Sequence, residues 1–168
     1  MKSRFPVAKL VLSGVFAALI CVLTSLVPIP LGHGFAHPGD AFVLLAGCAL
    51  GPWAGFLAAG VGSMLADLFL GYAVYAPATF LIKGLMAVCA SLILKNTMKR
   101  TSIALLSVLL AAVIGECVMV AGYFSFEWIF FGLSVAVADV AGNVLQGVFG
   151  AVVGTALITV LSKTSLLR

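Results

Sequence analysis

Four ionisable side chains stand out in an otherwise apolar part of the chain. The segment 37–83 is rich in Ala, Leu, Gly and Phe, and it contains His37, Asp40, Asp67 and Lys83. A charged group at the centre of a bilayer costs roughly 2.5 to 3.5 kcal/mol on insertion scales. A sequence that keeps such groups indicates either a functional site or structural pairs that neutralise one another.

Composition indicates that this segment belongs to an integral membrane protein. The chain is 64% hydrophobic and 8% charged, whereas soluble domains are about 45 to 50% apolar and about 25% charged. Its 168 residues have room for about six spans of roughly 20 residues. We expect one all-α membrane domain over residues 1–168, with the lipid bilayer and not nucleic acid as its surroundings.

Apolar runs separated by Gly, Pro and polar residues predict a polytopic bundle of six transmembrane helices. The segment 28–39 is too rich in Pro and Gly to be helical, and we predict a lid loop that contains His33 and His37. The aromatic segment 123–128 predicts an interfacial loop. The predicted spans are 7–27, 40–50, 52–70, 76–94, 103–123 and 134–161.

The distribution of basic residues predicts the orientation. Cytoplasmic loops collect Lys and Arg, and with six spans both termini and the 95–102 connection lie on one side. Eight of the nine basic residues then fall on that side, which we assign to the cytoplasm: Lys2, Arg4, Lys9, Lys95, Lys99, Arg100, Lys163 and Arg168. A multi-pass protein of the cell membrane, with cytoplasmic termini, is predicted.

This topology places nearly all intramembrane polarity in the outer half of the bundle. Asp139, Asn143 and Gln146 follow one helical face at i, i+4 and i+7, where they can bind a polar heterocycle. Tyr72, Tyr75, Tyr123, Phe124 and Trp128 offer aromatic walls. The candidate substrate-binding residues are His37, Asp40, Asp67, Tyr75, Lys83, Glu116, Tyr123, Asp139, Asn143 and Gln146.

Structural interpretations of the same residues stay open. Lys83 can neutralise Asp67 or Glu116 as a buried pair. Asp40 follows Pro-Gly and precedes a helix, which is typical of an N-cap. His33 and His37 can simply shape their loop. The four cysteines have no metal or disulfide spacing, and neither a metal site nor a cofactor is expected.

Small residues recur along the first helix in two adjoining lines. Ser13, Ala17 and Cys21 form one line, and Gly14 and Ala18 form the other. Small residues let helices approach closely in lipid. The two lines therefore indicate either a docking face for a partner or tight packing inside the bundle.

The polar distribution also separates the classes of function. A channel or an autonomous secondary transporter, the alternative function, needs polar groups across the full thickness of the membrane. An intramembrane aspartyl protease needs paired carboxylates, and the spacing of Asp67 and Asp139 does not specifically favour such a pair. A non-enzymatic protein that receives a solute from outside fits the distribution best.

Five short segments form a combined pattern along the chain: His37-Pro-Gly-Asp40, Gly51-Pro52-x-x-Gly55, Gly62-x-x-x-Ala66-Asp67-Leu68-x-x-Gly71-Tyr72, Thr79-Phe80-x-x-Lys83-Gly84 and Asn143-x-x-Gln146. Together these segments resemble the S components, the substrate-binding membrane subunits of energy-coupling factor (ECF) transporters. The resemblance extends over nearly the whole chain and is closest to the branch for hydroxymethylpyrimidine or pyridoxine.

The resemblance implies a function, a lid and a set of partners. Such subunits capture a vitamin from outside with high affinity beneath a loop, here 28–39. They dock through small residues of the first helix on a membrane-embedded coupling subunit, and two cytoplasmic ATPase subunits use the ATP. The resemblance therefore implies no ATP site on this chain, a docking role for the small-residue lines, and release of substrate by toppling of the subunit.

Overall fold

Six α-helices and a short β-hairpin make up the described part of this protein. The computed structural model describes residues 7–26, 29–31, 34–98 and 104–162. The helical fold class is confirmed over these residues. The elements are α1 (Val7–Leu26), β1 (Ile29–Leu31), β2 (Gly34–Ala36), α2 (Gly39–Leu50), α3 (Pro52–Leu70), α4 (Ala76–Met98), α5 (Ala104–Phe131) and α6 (Leu133–Leu161).

The short helix α2 lies at the centre of the bundle. Five helices are long and apolar enough to cross a membrane, but α2 has 12 residues. At about 1.5 Å per residue it spans about 18 Å, less than the roughly 30 Å of a hydrocarbon core. It packs against α1, α3, α4 and α6, and most of its residues are buried. The prediction of six spans therefore holds, by length, for five helices.

The segment between α1 and α2 is non-helical, as predicted, but it is not a simple loop. β1 and β2 pair in antiparallel register, with Ile29 opposite Ala36. β2 also lies against α6. Of the two predicted lid histidines, His37 follows the hairpin directly and His33 lies outside the described residues.

The fifth helix extends well beyond its predicted end. Residues 123–128 were expected to form an interfacial loop, but α5 continues through them to Phe131. Its run from Tyr123 to Phe131 contains neither Gly nor Pro, so nothing in the sequence breaks the helix there. Gly132 then takes a φ of 95°, a backbone conformation that favours glycine, and α6 begins at the next residue.

Small residues bring the helices of the core close together. A side chain at Gly47 of α2 would meet the backbone of Ala87 in α4, and one at Gly62 of α3 would meet the backbone of Ala17 in α1. Many large apolar side chains outside this core are turned outward, as at Trp53 and Phe69, which are 78% and 73% exposed. Such an exterior fits a bundle surrounded by lipid.

The side of the membrane on which the termini lie stays a prediction. Lys9 and Lys95 are at the ends of α1 and α4 that the basic-residue count assigns to the cytoplasm. The remaining basic residues of that count are outside the described residues: Lys2, Arg4, Lys99, Arg100, Lys163 and Arg168.

Gly47→Ala tests whether close approach of α2 and α4 stabilises the bundle. The added methyl group would overlap the backbone of Ala87, and overpacking of this kind costs typically about 1 to 3 kcal/mol. We expect a lower melting temperature in detergent. Gly14→Ala is the matched control, because this helical glycine has open space around it. Equal melting temperatures for the two variants would contradict this packing role.

Candidate functional site

A buried ion pair joins α2 to α4. Lys83 contacts the carboxylate of Asp40, and both side chains are 0% exposed. The expectation that Lys83 pairs with Asp67 or Glu116 is therefore wrong, because its partner is Asp40. Proximity explains the difference: Gly47 and Ala87 bring α2 and α4 together, and Asp40 occupies the first turn of α2, where the helix dipole favours a negative charge.

Asp40 does not cap its helix. Pro38 occupies the N-cap position of α2, and no side chain forms a cap hydrogen bond there. The second carboxylate oxygen of Asp40 instead accepts a hydrogen bond of 2.6 Å from the amide of Gln146 in α6. The predicted N-cap role is wrong, and Asp40 links three helices.

His37 attaches the end of the hairpin segment to this network. Its Nδ1 accepts a hydrogen bond of 3.1 Å from the backbone N–H of Gly39 and lies 3.2 Å from the hydroxyl of Thr24 in α1. Its Nε2 lies 3.4 Å from Gln146. Burial lowers the pKa of His37 from 6.5 to about 4; Asp40 opposes this shift and Lys83 reinforces it. The ring is therefore neutral at physiological pH.

A small polar cavity lies beside this network, at the end of the bundle where the hairpin meets the helices. Its volume is about 40 Å³, on the order of the space for three water molecules. Amide, hydroxyl, phenol, imidazole and carboxylate groups line it together. The lining residues are Thr24, His37, Ser63, Asp67, Tyr72, Tyr75, Thr79, Tyr123, Glu127, Asn143 and Gln146.

Three tyrosines give the cavity its aromatic surface. The hydroxyl of Tyr123 lies 3.0 Å from that of Thr79, and its ring centroid is 5.4 Å from the ammonium of Lys83. Tyr75 stacks on Phe131 with a centroid separation of 5.6 Å and meets Tyr72 edge-on at 6.3 Å. The tyrosine side chains are thus held in place by their neighbours.

The predicted site residues divide into those that line the cavity and those that do not. Asn143 and Gln146 line it, but Asp139, on the same predicted face, does not. Glu116 is buried at 4% exposure and lies near Asp40. It lines a separate apolar groove between α5 and α6. Asp40 and Lys83 support the cavity from the adjoining ion pair.

Five lining residues were absent from the predicted substrate-binding set: Thr24, Ser63, Tyr72, Thr79 and Glu127. Of these, Tyr72 had been named only as an aromatic wall. Glu127 had a usable signal, since it is one of only five acidic residues, but the expectation of a loop at 123–128 hid it. Thr79 belongs to the Thr-Phe-x-x-Lys-Gly segment already singled out. Thr24 and Ser63 carry no distinctive pattern, because hydroxyl residues are common in membrane helices.

The two small-residue lines of α1 face different surroundings. Ala17 packs against Gly62 of α3, and Cys21, one helical turn later, is buried. Ser13 on the same line is half-buried and bonds to the backbone of Lys9. Gly14 and Ala18 are exposed. Ala17 and Cys21 therefore contribute to packing inside the bundle, and the docking role of the two lines stays a prediction.

A double-mutant cycle tests the ion pair. Lys83→Met leaves the buried carboxylate of Asp40 without its cation, and such a change costs about 3 to 5 kcal/mol. Combining it with Asp40→Leu should recover a substantial part of that loss. Chemical unfolding in detergent micelles measures the coupling. If the two single losses simply add in the double variant, the pair does not hold α2 to α4.

Comparisons with known proteins agree on one family. The family model of the ECF-type riboflavin transporter, S component, matches residues 4–163. An uncharacterized protein in a gap 3′ region of Pyrococcus woesei is 35% identical over 147 residues, covering 88% of this chain and 95% of the relative.

Two solved S components are similar in structure. The S component of a bacterial ECF transporter matches with a TM-score of 0.74 and 25% identity, over 93% of this chain and 96% of that one. The S component for biotin from an ECF-type ABC transporter shares the fold, with a TM-score of 0.54, 20% identity and 95% coverage of each chain. The chain is therefore a multi-pass membrane protein that belongs to the S components of ECF-type vitamin transporters, a family of transport proteins and not of enzymes.

Proposed function

We propose that this chain captures a small vitamin or vitamin precursor, of the hydroxymethylpyrimidine or pyridoxine type, from outside the cell. The observation that carries this proposal is the small polar cavity beside the hairpin segment. Ligand sites of this kind combine apolar or aromatic walls with a few placed hydrogen-bonding groups. The substrate would then pass inward after docking on a coupling subunit driven by two ATPase subunits.

The distribution of buried charge favours capture over conduction. All the buried charged side chains of the described residues lie around the cavity or in the ion pair, except Glu116, which lies next to Asp40. Toward the other end, the buried polar groups are hydroxyls such as Ser91 and Ser107. A polar path through the full thickness, which an autonomous transporter or channel requires, has no support in this pattern.

Asn143 is the side chain best placed to recognise a heterocycle. It lines the cavity, and its amide nitrogen has no hydrogen-bond partner among the described residues. Gln146, one turn further along α6, is already committed to Asp40. We infer that Asn143 donates to a ring nitrogen or oxygen of the substrate, while Gln146 orients the carboxylate of Asp40.

The size of the cavity favours a small substrate over a large one. Its volume of about 40 Å³ is well below the roughly 300 to 1,000 Å³ of pockets that enclose drug-sized ligands. The family description names riboflavin, a tricyclic molecule larger than either proposed ring. All of these compounds exceed the space of about three water molecules, so the hairpin segment or the tyrosines must move for each of them, and furthest for riboflavin. Riboflavin is therefore the first competitor to test against the smaller rings.

Calorimetry on the purified protein tests both capture and substrate size. We expect tight binding of hydroxymethylpyrimidine or pyridoxine and weaker binding of riboflavin and biotin. Asn143→Ala should weaken binding by about 1 to 3 kcal/mol, because a polar atom of the ligand loses its partner. Asn96→Ala is the matched control, since Asn96 is exposed near the far end of α4.

The outcomes separate the two parts of this proposal. Unchanged affinity in Asn143→Ala would remove this residue from the site. Tighter binding of riboflavin would reject the small substrate and keep the capture function. Binding of none of the four compounds would contradict capture of these vitamins and favour the autonomous transporter.

Ala18→Leu tests the docking face of α1. Ala18 is exposed next to Gly14, and a leucine there would keep a partner helix at a distance. We expect normal ligand binding but reduced recovery of the complex when the chain is co-expressed with coupling and ATPase subunits. Ala156→Leu is the control, because Ala156 is also exposed but lies on α6. Equal complex yields would contradict docking at this face.

A further inference from the structure

Two buried carboxylates face the cavity with unused hydrogen-bonding capacity. Asp67 of α3 and Glu127 of α5 both line the cavity and are 6% and 3% exposed. One oxygen of each, Oδ2 of Asp67 and Oε2 of Glu127, has no hydrogen-bond partner among the described residues. An unpartnered buried carboxylate oxygen is costly, and a donor supplied by a ligand would remove that cost.

A third, independent side chain marks the same place as a binding site. Ser63 is 1% exposed and lines the cavity, and its hydroxyl oxygen has no partner among the described residues. Three residues that line one cavity and keep unpartnered polar atoms are better explained by a ligand than by packing.

The cavity offers these acceptors without a balancing cation. Its lining includes no Lys or Arg among the described residues. The nearby ammonium of Lys83 is engaged by Asp40. His37, the remaining basic group of the lining, is neutral because burial lowers its pKa to about 4. An anionic ligand would therefore lose its hydration and find no opposite charge in return.

The aromatic surface strengthens the same preference. The rings of Tyr72, Tyr75 and Tyr123 line the cavity, and aromatic faces attract cations. Burial, followed by the charges of Glu127, Asp139 and Asp67, raises the pKa of Tyr75 to about 12. The phenol therefore stays protonated.

From this arrangement we propose that the substrate carries an amino group or a cationic nitrogen, which Asp67 and Glu127 recognise, and that carboxylated and phosphorylated ring compounds are excluded. The substrate class is then a small amino-substituted heteroaromatic ring, such as an aminopyrimidine or an aminomethylpyridine. This inference rests on the proposed capture function and adds the charge of the substrate to it.

Matched ligands on two rings test the proposal by calorimetry at neutral pH. In the pyridine series, pyridoxamine, pyridoxine, 4-pyridoxic acid and pyridoxine 5′-phosphate carry an amine, a hydroxyl, a carboxylate and a phosphate. In the pyrimidine series, 4-amino-5-hydroxymethyl-2-methylpyrimidine is compared with its 4-hydroxy analogue. Within the series that binds, we expect the amine to bind about 10- to 150-fold more tightly than the hydroxyl, as for hydrogen bonds to charged groups.

Variants assign the preference to the two carboxylates. Glu127→Gln and Asp67→Asn keep the shape of each side chain and remove its charge. We expect the affinity ratio of amine to hydroxyl to fall in both, while the hydroxyl ligand still binds. That remaining binding shows that the variants are folded, and it keeps the ratio interpretable.

The possible results distinguish this inference from the function on which it rests. Equal affinities for amine and hydroxyl, or tighter binding of the carboxylate or phosphate, would overturn the charge preference and leave capture intact. Binding of riboflavin alone would do the same. Failure of every vitamin to bind would overturn both proposals. An unchanged ratio in both variants would overturn the assignment to Asp67 and Glu127.

Discussion

The rest of the structure depends on the buried ion pair between Asp40 and Lys83. Both side chains are fully withdrawn from solvent, and each charge would be untenable there without the other. The pair fixes the start of α2 against α4, and the bond from Gln146 to Asp40 adds α6. Buried ion pairs contribute little net stability. We infer that the main effect of the Asp40–Lys83 pair is to favour this arrangement of α2, α4 and α6 over others.

That constraint explains why a helix too short to cross the bilayer can occupy the centre of the bundle. α2 begins at the polar network and ends at Leu50, and the φ of 79° at Gly51 turns the chain into α3. Toward one end its neighbours are apolar and closely packed through Gly47. Toward the other, His37 and Thr24 connect the network to the hairpin segment and α1. The cavity lies where this polar end meets the tyrosines of the α3–α4 connection and of α5, so the ion pair supports the site without lining it.

Sequence reasoning recovered the helices and the polar end of the bundle, but it did not recover the pairing inside it. The bounds of α3 follow directly from Pro52 and Gly71. Asn143 and Gln146, which the spacing put on one face of α6, both line the cavity, whereas Asp139 of the same face does not. The partner of Lys83 depends on how closely α2 approaches α4. That distance is set by packing at Gly47 and has no local signal.

The sequence-based predictions also differ from the structure at the end of α5 and along α1, again because local patterns do not show how the helices pack. Glu127 was placed in a loop because aromatic residues are common at membrane interfaces, although the helix has no breaker before Gly132. The small-residue lines of α1 looked equivalent by spacing, yet Ala17 meets Gly62 while Ala18 is exposed. Native mass spectrometry of the protein purified in mild detergent tests the central claim most directly. The account predicts one retained small heterocycle per chain, released on activation and identified by its mass. A protein that carries no such molecule and gains none after incubation with vitamins would contradict it.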